Sequence, residues 1–325
     1  MFFLAIVAAV AGTLAWREYR AFESAPLFDE GSVIVMVRPG QGLGPVTATL
    51  ERLKLARPGW HWRVLGRLHQ PRIKAGEYRI EAGTSPRRLI DDLTAGKVVR
   101  HRFTIIEGWN LSRLRREISK DSRLVQTLGN AADEELMRRL GCEGCFAEGR
   151  FLPETYQFLR GDRDLDLLAR SYRAMSSELD QAWRRRDPDM GLESPEQLLV
   201  LASLVEMETM HDAEREQVAG VFVRRLKLGM RLQTDPTVVY GLSDDFDGRI
   251  RLVHLRSDHP WNTYTRHGLP PTPIALPGKA SIHAAASPAD GDALYFVARG
   301  DGSHHFSATL AEHNRAVARY ILGKR

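Results

Sequence analysis

Cysteine is nearly absent: 325 residues contain two, close together at Cys142 and Cys145. One such pair cannot complete a closed four-ligand zinc site or staple a large fold. It reads as a local disulfide or as two inert thiols. The chain also lacks GxGxxG, P-loop, GxSxG and HExxH patterns, so dinucleotide binding, phosphate cradling, a serine nucleophile elbow and zincin chemistry find no support. No block of like charges stands out, and Lys+Arg 46 against Asp+Glu 41 gives a net charge of +5. That mild excess suits an anionic polymer or a membrane surface and does not single out nucleic acid. No repeat of solenoid period is present. Hydrophobic residues at 43% and charged residues at 27% exclude disorder and a polytopic membrane protein for the bulk of the chain.

What is present begins with Phe2–Trp16, an uncharged, mostly apolar run. As a helix it spans about 22 Å, short of the roughly 30 Å hydrocarbon core. It reads as a short membrane anchor in preference to the core of a cleaved signal. Arg17 and Arg20 follow the run and nothing basic precedes it. Taken literally, that order places the rest of the chain in the cytoplasm. Residues 17–31 read as a linker.

From Ser32 the texture changes to β-branched residues, Val33-Ile34-Val35, then helical spacing at Val46, Leu50 and Leu53. A strand around Tyr78 and a helix opened by Ser85-Pro86 and closed by Gly96 complete a small module over 32–102. Residues 103–325 form the body. There Asn110 opens a helix, Leu165–Trp183 is helical, and Ser194-Pro195 with Gln197 forms a capping box. The segment Leu269–Gly278 is a proline-rich loop, Leu294–Phe306 a hairpin, and Thr309 with Glu312 caps the last helix. Short strands among many helices make the expected class α+β.

The chemistry gathers at Glu206 and Glu208, on the end of an otherwise apolar helix. At about 100° per residue they point about 200° apart and cannot share one proton. Glu208 follows Leu204 and Leu201, the bulkier stripe, where desolvation would keep a carboxyl protonated as a general acid requires. Glu206 follows Ala202 and Leu199, with Ser203 beside it. The competing reading pairs both glutamates with Arg215, Arg224 or Arg225. Amides, hydroxyls and rings at Gln233, Thr234, Asp235, Tyr240, Asn262 and Tyr264 suit sugar recognition, and equally suit ordinary turn chemistry. His304, His305 and His313 invite a metal reading, but His304 and His305 fall on opposite sides of a strand and cannot readily chelate together. No metal or cofactor is expected.

Several segments together resemble the endolytic murein transglycosylase (MltG/YceG-like) family: Leu201–Thr209, Gly229–Gly241, Trp261–Tyr264, Gly268–Pro271, Leu294–Ala298, Phe151–Tyr156 and Lys74–Tyr78. The resemblance covers about Ser32 to Tyr320. It implies a LysM-like module before a mixed α/β catalytic domain, behind a single-pass anchor in the inner (cell) membrane, with the body periplasmic or otherwise extracytoplasmic. It implies cleavage of the β-1,4 bond between N-acetylmuramic acid and N-acetylglucosamine within glycan strands, leaving 1,6-anhydro ends, and a role in ending nascent strands. Cell-wall synthesis proteins are the implied partners. Glu208 takes the catalytic role, with Glu206, Gln233, Thr234, Asp235, Tyr240, Asn262 and Tyr264 in support. A hydrolytic muramidase or a non-catalytic glycan-binding scaffold is the alternative. Cys142 and Cys145 have no counterpart in that pattern.

Overall fold

The computed structural model describes residues 2–56, 58–209, 211–242 and 246–323. Contacts divide them into two units. The smaller runs to His101 and takes in Gln157–Asp162; the larger holds Arg102–Tyr156 and everything from Arg163.

In the smaller unit, α1 (Phe2–Ser24) leads to β1 (Ser32–Val37), α2 (Leu43–Arg52), α3 (Trp60–His69), β2 (Gly76–Glu81) and α4 (Pro86–Ala95). β1 and β2 pair antiparallel, Ser32 opposite Glu81 and Val37 opposite Gly76. The period-2 pattern turns Val35 and Val37 inward, onto Val46 and Leu50 of α2, Leu65 of α3 and Leu89 and Leu93 of α4. Ser85 accepts the Arg88 N–H at 3.3 Å, Pro86 fills the first turn, and Gly96 closes α4 in the left-handed conformation. These are the expected caps.

The amino-terminal helix departs from expectation. It does not stop at Trp16 but continues to Ser24, and it is exposed over its apolar run. Tyr19 is 1% exposed in the small unit's core. Phe22 stacks on His61 at 4.8 Å and meets Trp62 edge-on at 5.1 Å. Beyond it, Leu27 N–H donates to Thr84 O, and Gly83 N–H donates to Phe28 O, both at 2.9 Å. Residues 17–31 are therefore ordered against the module, because Tyr19, Phe22, Leu27 and Phe28 carry the apolar surface a free linker lacks. The turn Gln157–Asp162 joins the unit through buried Glu77, which accepts from Arg160 at 3.1 Å and lies 2.5 Å from His101 Nε2. Burial pushes the Glu77 pKa up, but these partners more than offset it and hold it below the usual carboxylate range.

The strands β3 (His101–Thr104) and β4 (Thr155–Phe158) form a second two-stranded sheet. Between them lie α5 (Leu111–Ser119), capped by Asn110, and α6 (Asp133–Arg139). Then come α7 (Asp164–Arg185), α8 (Pro195–Glu208), α9 (Arg215–Lys227), α10 (Asp235–Leu242), α11 (Leu252–Arg256) and α12 (Lys279–Ala286). α8 is the axis of the larger unit. Every residue from Leu198 to Val205 is buried, which fits a helix apolar on all faces. α7, α9 and α12 surround it. Ser194 accepts the Gln197 N–H, but the Gln197 side chain accepts from Glu193 N at 2.7 Å. The expected box is thus half made. The hairpin β5 (Tyr295–Ala298) and β6 (His304–Ser307) pairs Phe296 with Phe306 and Ala298 with His304. α13 (Leu310–Tyr320) closes the chain behind a complete Thr309–Glu312 capping box. The architecture is mixed α+β with an apolar amino-terminal helix. Cys142 and Cys145 are disulfide-bonded to each other.

Candidate active site

Glu208 is the last residue of α8, where the helix's outward carbonyls already disfavour an anion. Desolvation raises its pKa above the usual carboxylate range, and the neighbouring charge of Asp235 adds to the rise. A hydrogen bond from Thr234 Oγ1 to Glu208 Oε1, and the charge of His304, pull the other way without cancelling it. The carboxyl lines a pocket of about 530 Å³ together with Gln233, Asp235, Tyr264, Tyr295 and His304.

The loop carrying Gln233 and Thr234 is built by threonines. Gln233 N–H donates to Thr263 O at 3.2 Å and Thr234 N–H to Thr263 Oγ1 at 3.1 Å. Thr237 Oγ1 donates to Thr234 O at 2.7 Å. Gln233 is thereby held at φ 54°, a left-handed backbone costly for a non-glycine residue. Asp235 Oδ1 accepts from Tyr264 Oη at 2.5 Å. Burial, then the Asp235 bond and charge, drive the Tyr264 hydroxyl's pKa upward, so it remains a donor.

Of the residues singled out in the sequence, Glu208, Gln233, Asp235 and Tyr264 share this pocket and Thr234 is bonded to it. Three stand apart. Glu206 Oε2 accepts the Gly278 N–H at 2.9 Å, at the start of α12. A Cβ on Gly278 would collide with the Glu107 carboxyl, so any other residue here would force that side chain aside. Burial and the Glu206 charge raise the Glu107 pKa. Tyr240 donates to Glu148 Oε2 at 3.2 Å. Asn262 donates to the carbonyls of His254, Leu255 and Ser257 and builds its own loop. The arginines that could have paired with the two glutamates are engaged elsewhere: Arg215 with Asp212 and Ser281, Arg224 with Ala289 O and Ala293 O, Arg225 with Leu232 O and Leu294 O.

Sequence reasoning missed the pocket's far wall of Arg225, Tyr295, Phe296, His304 and His313. In the sequence the histidines stand out only through a metal reading that strand alternation disfavours. Their alternation holds, with His304 at Glu214 and His305 against the Tyr320 ring at 5.6 Å. Among the described residues no three metal-ligating side chains converge. Outside the pocket, Glu148 is buried and accepts the N–H groups of Leu111 and Gly149; burial dominates and raises its pKa to about 7.

Comparison with known proteins follows this geometry. The YceG-like family model matches residues 35–319. A Bacillus subtilis protein named endolytic murein transglycosylase is 32% identical over 269 residues, 78% of this chain and 74% of its own. A Streptococcus pneumoniae protein of the same name is 25% identical over 332 residues, covering 90% of this chain but 59% of its own length. The crystal structure of a YceG-like protein from Listeria monocytogenes aligns over 88% of this chain and 99% of its own, at 25% identity and a TM-score of 0.54.

Proposed function

The chain belongs to the YceG-like family, and from that membership and the enclosed acid of Glu208 we infer that it is a lytic transglycosylase acting on peptidoglycan. The observation that carries the reading is a desolvated carboxyl, bonded to Thr234, on the wall of a pocket that also presents Gln233 and Tyr264. Protonated Glu208 gives its proton to the glycosidic oxygen as the bond between N-acetylmuramic acid and N-acetylglucosamine breaks through an oxocarbenium-like state. Its carboxylate then takes the proton of the muramic C6 hydroxyl, whose oxygen closes on C1. A 1,6-anhydro end forms and Glu208 is again protonated. Because the attack is intramolecular, no water and no second carboxylate need be placed. In this scheme Gln233 and Tyr264 contact the sugar, Thr234 and Asp235 set the protonation of Glu208, and Glu206, Tyr240 and Asn262 hold the surrounding backbone.

The smaller unit is read as a LysM-like, glycan-docking module over 32–102, with 103–325 as the catalytic domain. Its strand–helix–helix–strand order and antiparallel β1–β2 pair support that reading. α1 is read as a single-pass anchor with the body outside the cytoplasm. Its length and apolar, exposed surface support an anchor, and the family's substrate supports the side. Cell-wall synthesis proteins are the partners such a location offers.

The test is Glu208→Gln on purified peptidoglycan. The variant keeps its size but has no proton to give, so turnover should fall by about 10²–10⁴ with folding unchanged. Mass spectrometry should find anhydro ends in the wild-type products; reducing ends would mean hydrolysis instead. Full turnover by the variant would remove Glu208 from the mechanism.

A further inference from the structure

The pocket contains an imidazole that the scheme above does not use. His304 is on β6, and its side chain is 12% exposed. Glu214, 90 residues earlier in the turn before α9, grips it twice: Oε1 accepts the His304 backbone N–H at 2.9 Å and Oε2 lies 2.7 Å from Nδ1. Phe296 meets the ring edge-on at 5.4 Å and fixes its plane. A carboxylate at that distance calls for an N–H on Nδ1, which leaves Nε2 as the atom offered to other partners. Burial would push the Glu214 pKa up, yet its bonds to His304 hold it down, so Glu214 stays an anion.

We propose that His304, aligned by Glu214, is a positioning residue of the Glu208 site, lending positive charge that steadies the Glu208 carboxylate between its two proton transfers. The inference rests on the reading of Glu208 as the acid. In that reading the glycosidic oxygen gains the proton that Glu208 loses, and Glu208 regains one from the C6 hydroxyl. His304 neither gains nor loses a proton over the cycle. Its work lies in the interval, when a carboxylate sits in a desolvated site beside another anion. Without an opposing charge that anion would be too costly to form, because Asp235 on α10 repels it and Tyr264 is already committed to Asp235. The other charged or titratable groups near His304 do not replace it. Arg225 on α9 is bound to backbone carbonyls. The pKa of His313 on α13 is lowered by burial and by Arg225, Tyr295 stacks on His313, and His211 acts on Glu214.

The experiment measures peptidoglycan turnover against pH for the full chain and for His304→Gln, Glu214→Gln and the control His305→Gln. Glutamine at 304 keeps a donor for Glu214 and removes the charge. Activity needs protonated Glu208 and is lost as pH rises through its pKa. Removing a nearby cation raises that pKa, so the alkaline limb should move up by about one pH unit. The kcat should fall about tenfold with KM within about twofold. Glu214→Gln should shift the profile in the same direction, and His305→Gln should leave it unmoved. Unchanged kcat and limb in His304→Gln would overturn the proposal, as would a rise in KM alone, which would make His304 a substrate contact. Should His304→Gln fail to fold by circular dichroism, Glu214→Gln decides the matter by the same criteria. A Glu208→Gln variant that stays active overturns the underlying acid assignment instead, independently of the His304 profile.

Discussion

Gln233 shows how much of the site is bought at a single residue. Its left-handed backbone is strained for any side chain but glycine, and the two bonds to Thr263 hold it there. Gln233→Gly should leave stability unchanged or raise it by about 0.5–1 kcal/mol, while turnover falls about tenfold through lost sugar positioning. Denaturant unfolding and product release, measured on one preparation, check both. A glycine variant of full activity would reduce Gln233 to turn material. At this scale the legible residue was Glu208, because helical spacing places it over Leu204 and Leu201. His304 was not legible in its role, since its partner Glu214 lies 90 residues away and no local pattern joins them.

At the scale of elements, α2 and α7 were legible from apolar spacing and three other helices from their caps. Ser85, Asn110 and Thr309 each announced a helix and each accepts the expected N–H. α6, α11 and α12 lack a Ser, Thr, Asn or Asp at the N-cap, carried by Ala132, Arg251 and Gly278, and their starts could not be read. A remote carboxyl reinforces one capped start. Glu148 accepts the first N–H of α5 and holds Tyr240 of α10. Its pKa of about 7 stands above the ordinary 4.5 because of burial. The folded state therefore binds the extra proton, and this contribution to stability is full below pH 4.5 and lost as pH rises through about 7. The loss approaches about 3 kcal/mol. Glu148→Gln can still accept from Leu111 and Gly149 through its amide oxygen and offer its NH₂ to Tyr240. Its stability should decline less between pH 5 and 8 than that of the wild type, as urea unfolding at the two pH values would show. A wild type equally stable at both would contradict this.

At the scale of the whole molecule, α1 serves two environments. Its apolar run is exposed, while Tyr19 and Phe22 belong to the small unit's core. Removing residues 2–16 should give a water-soluble protein whose melting temperature changes by no more than about 2 °C. Removing residues 2–24 should cost the small unit about 3–5 kcal/mol, the penalty for losing a large buried ring. Thermal melting and limited proteolysis of the two truncations separate these outcomes. Equal stability would return residues 17–24 to the status of a linker. The sequence reading ended the helix at Trp16 because charge begins there, whereas the ring packing that carries it onward depends on Trp62 in α3.

The far wall of the pocket comes from Tyr295 to His313, well after Glu208 in chain order. A ribosome makes the amino-terminal segments first. Glu208 and its threonine-built loop are thus complete well before the hairpin and α13 that enclose them. The pocket is finished only once β5, β6 and the start of α13 have been made, so a chain broken off before Tyr295 carries the acid without the wall that aligns it.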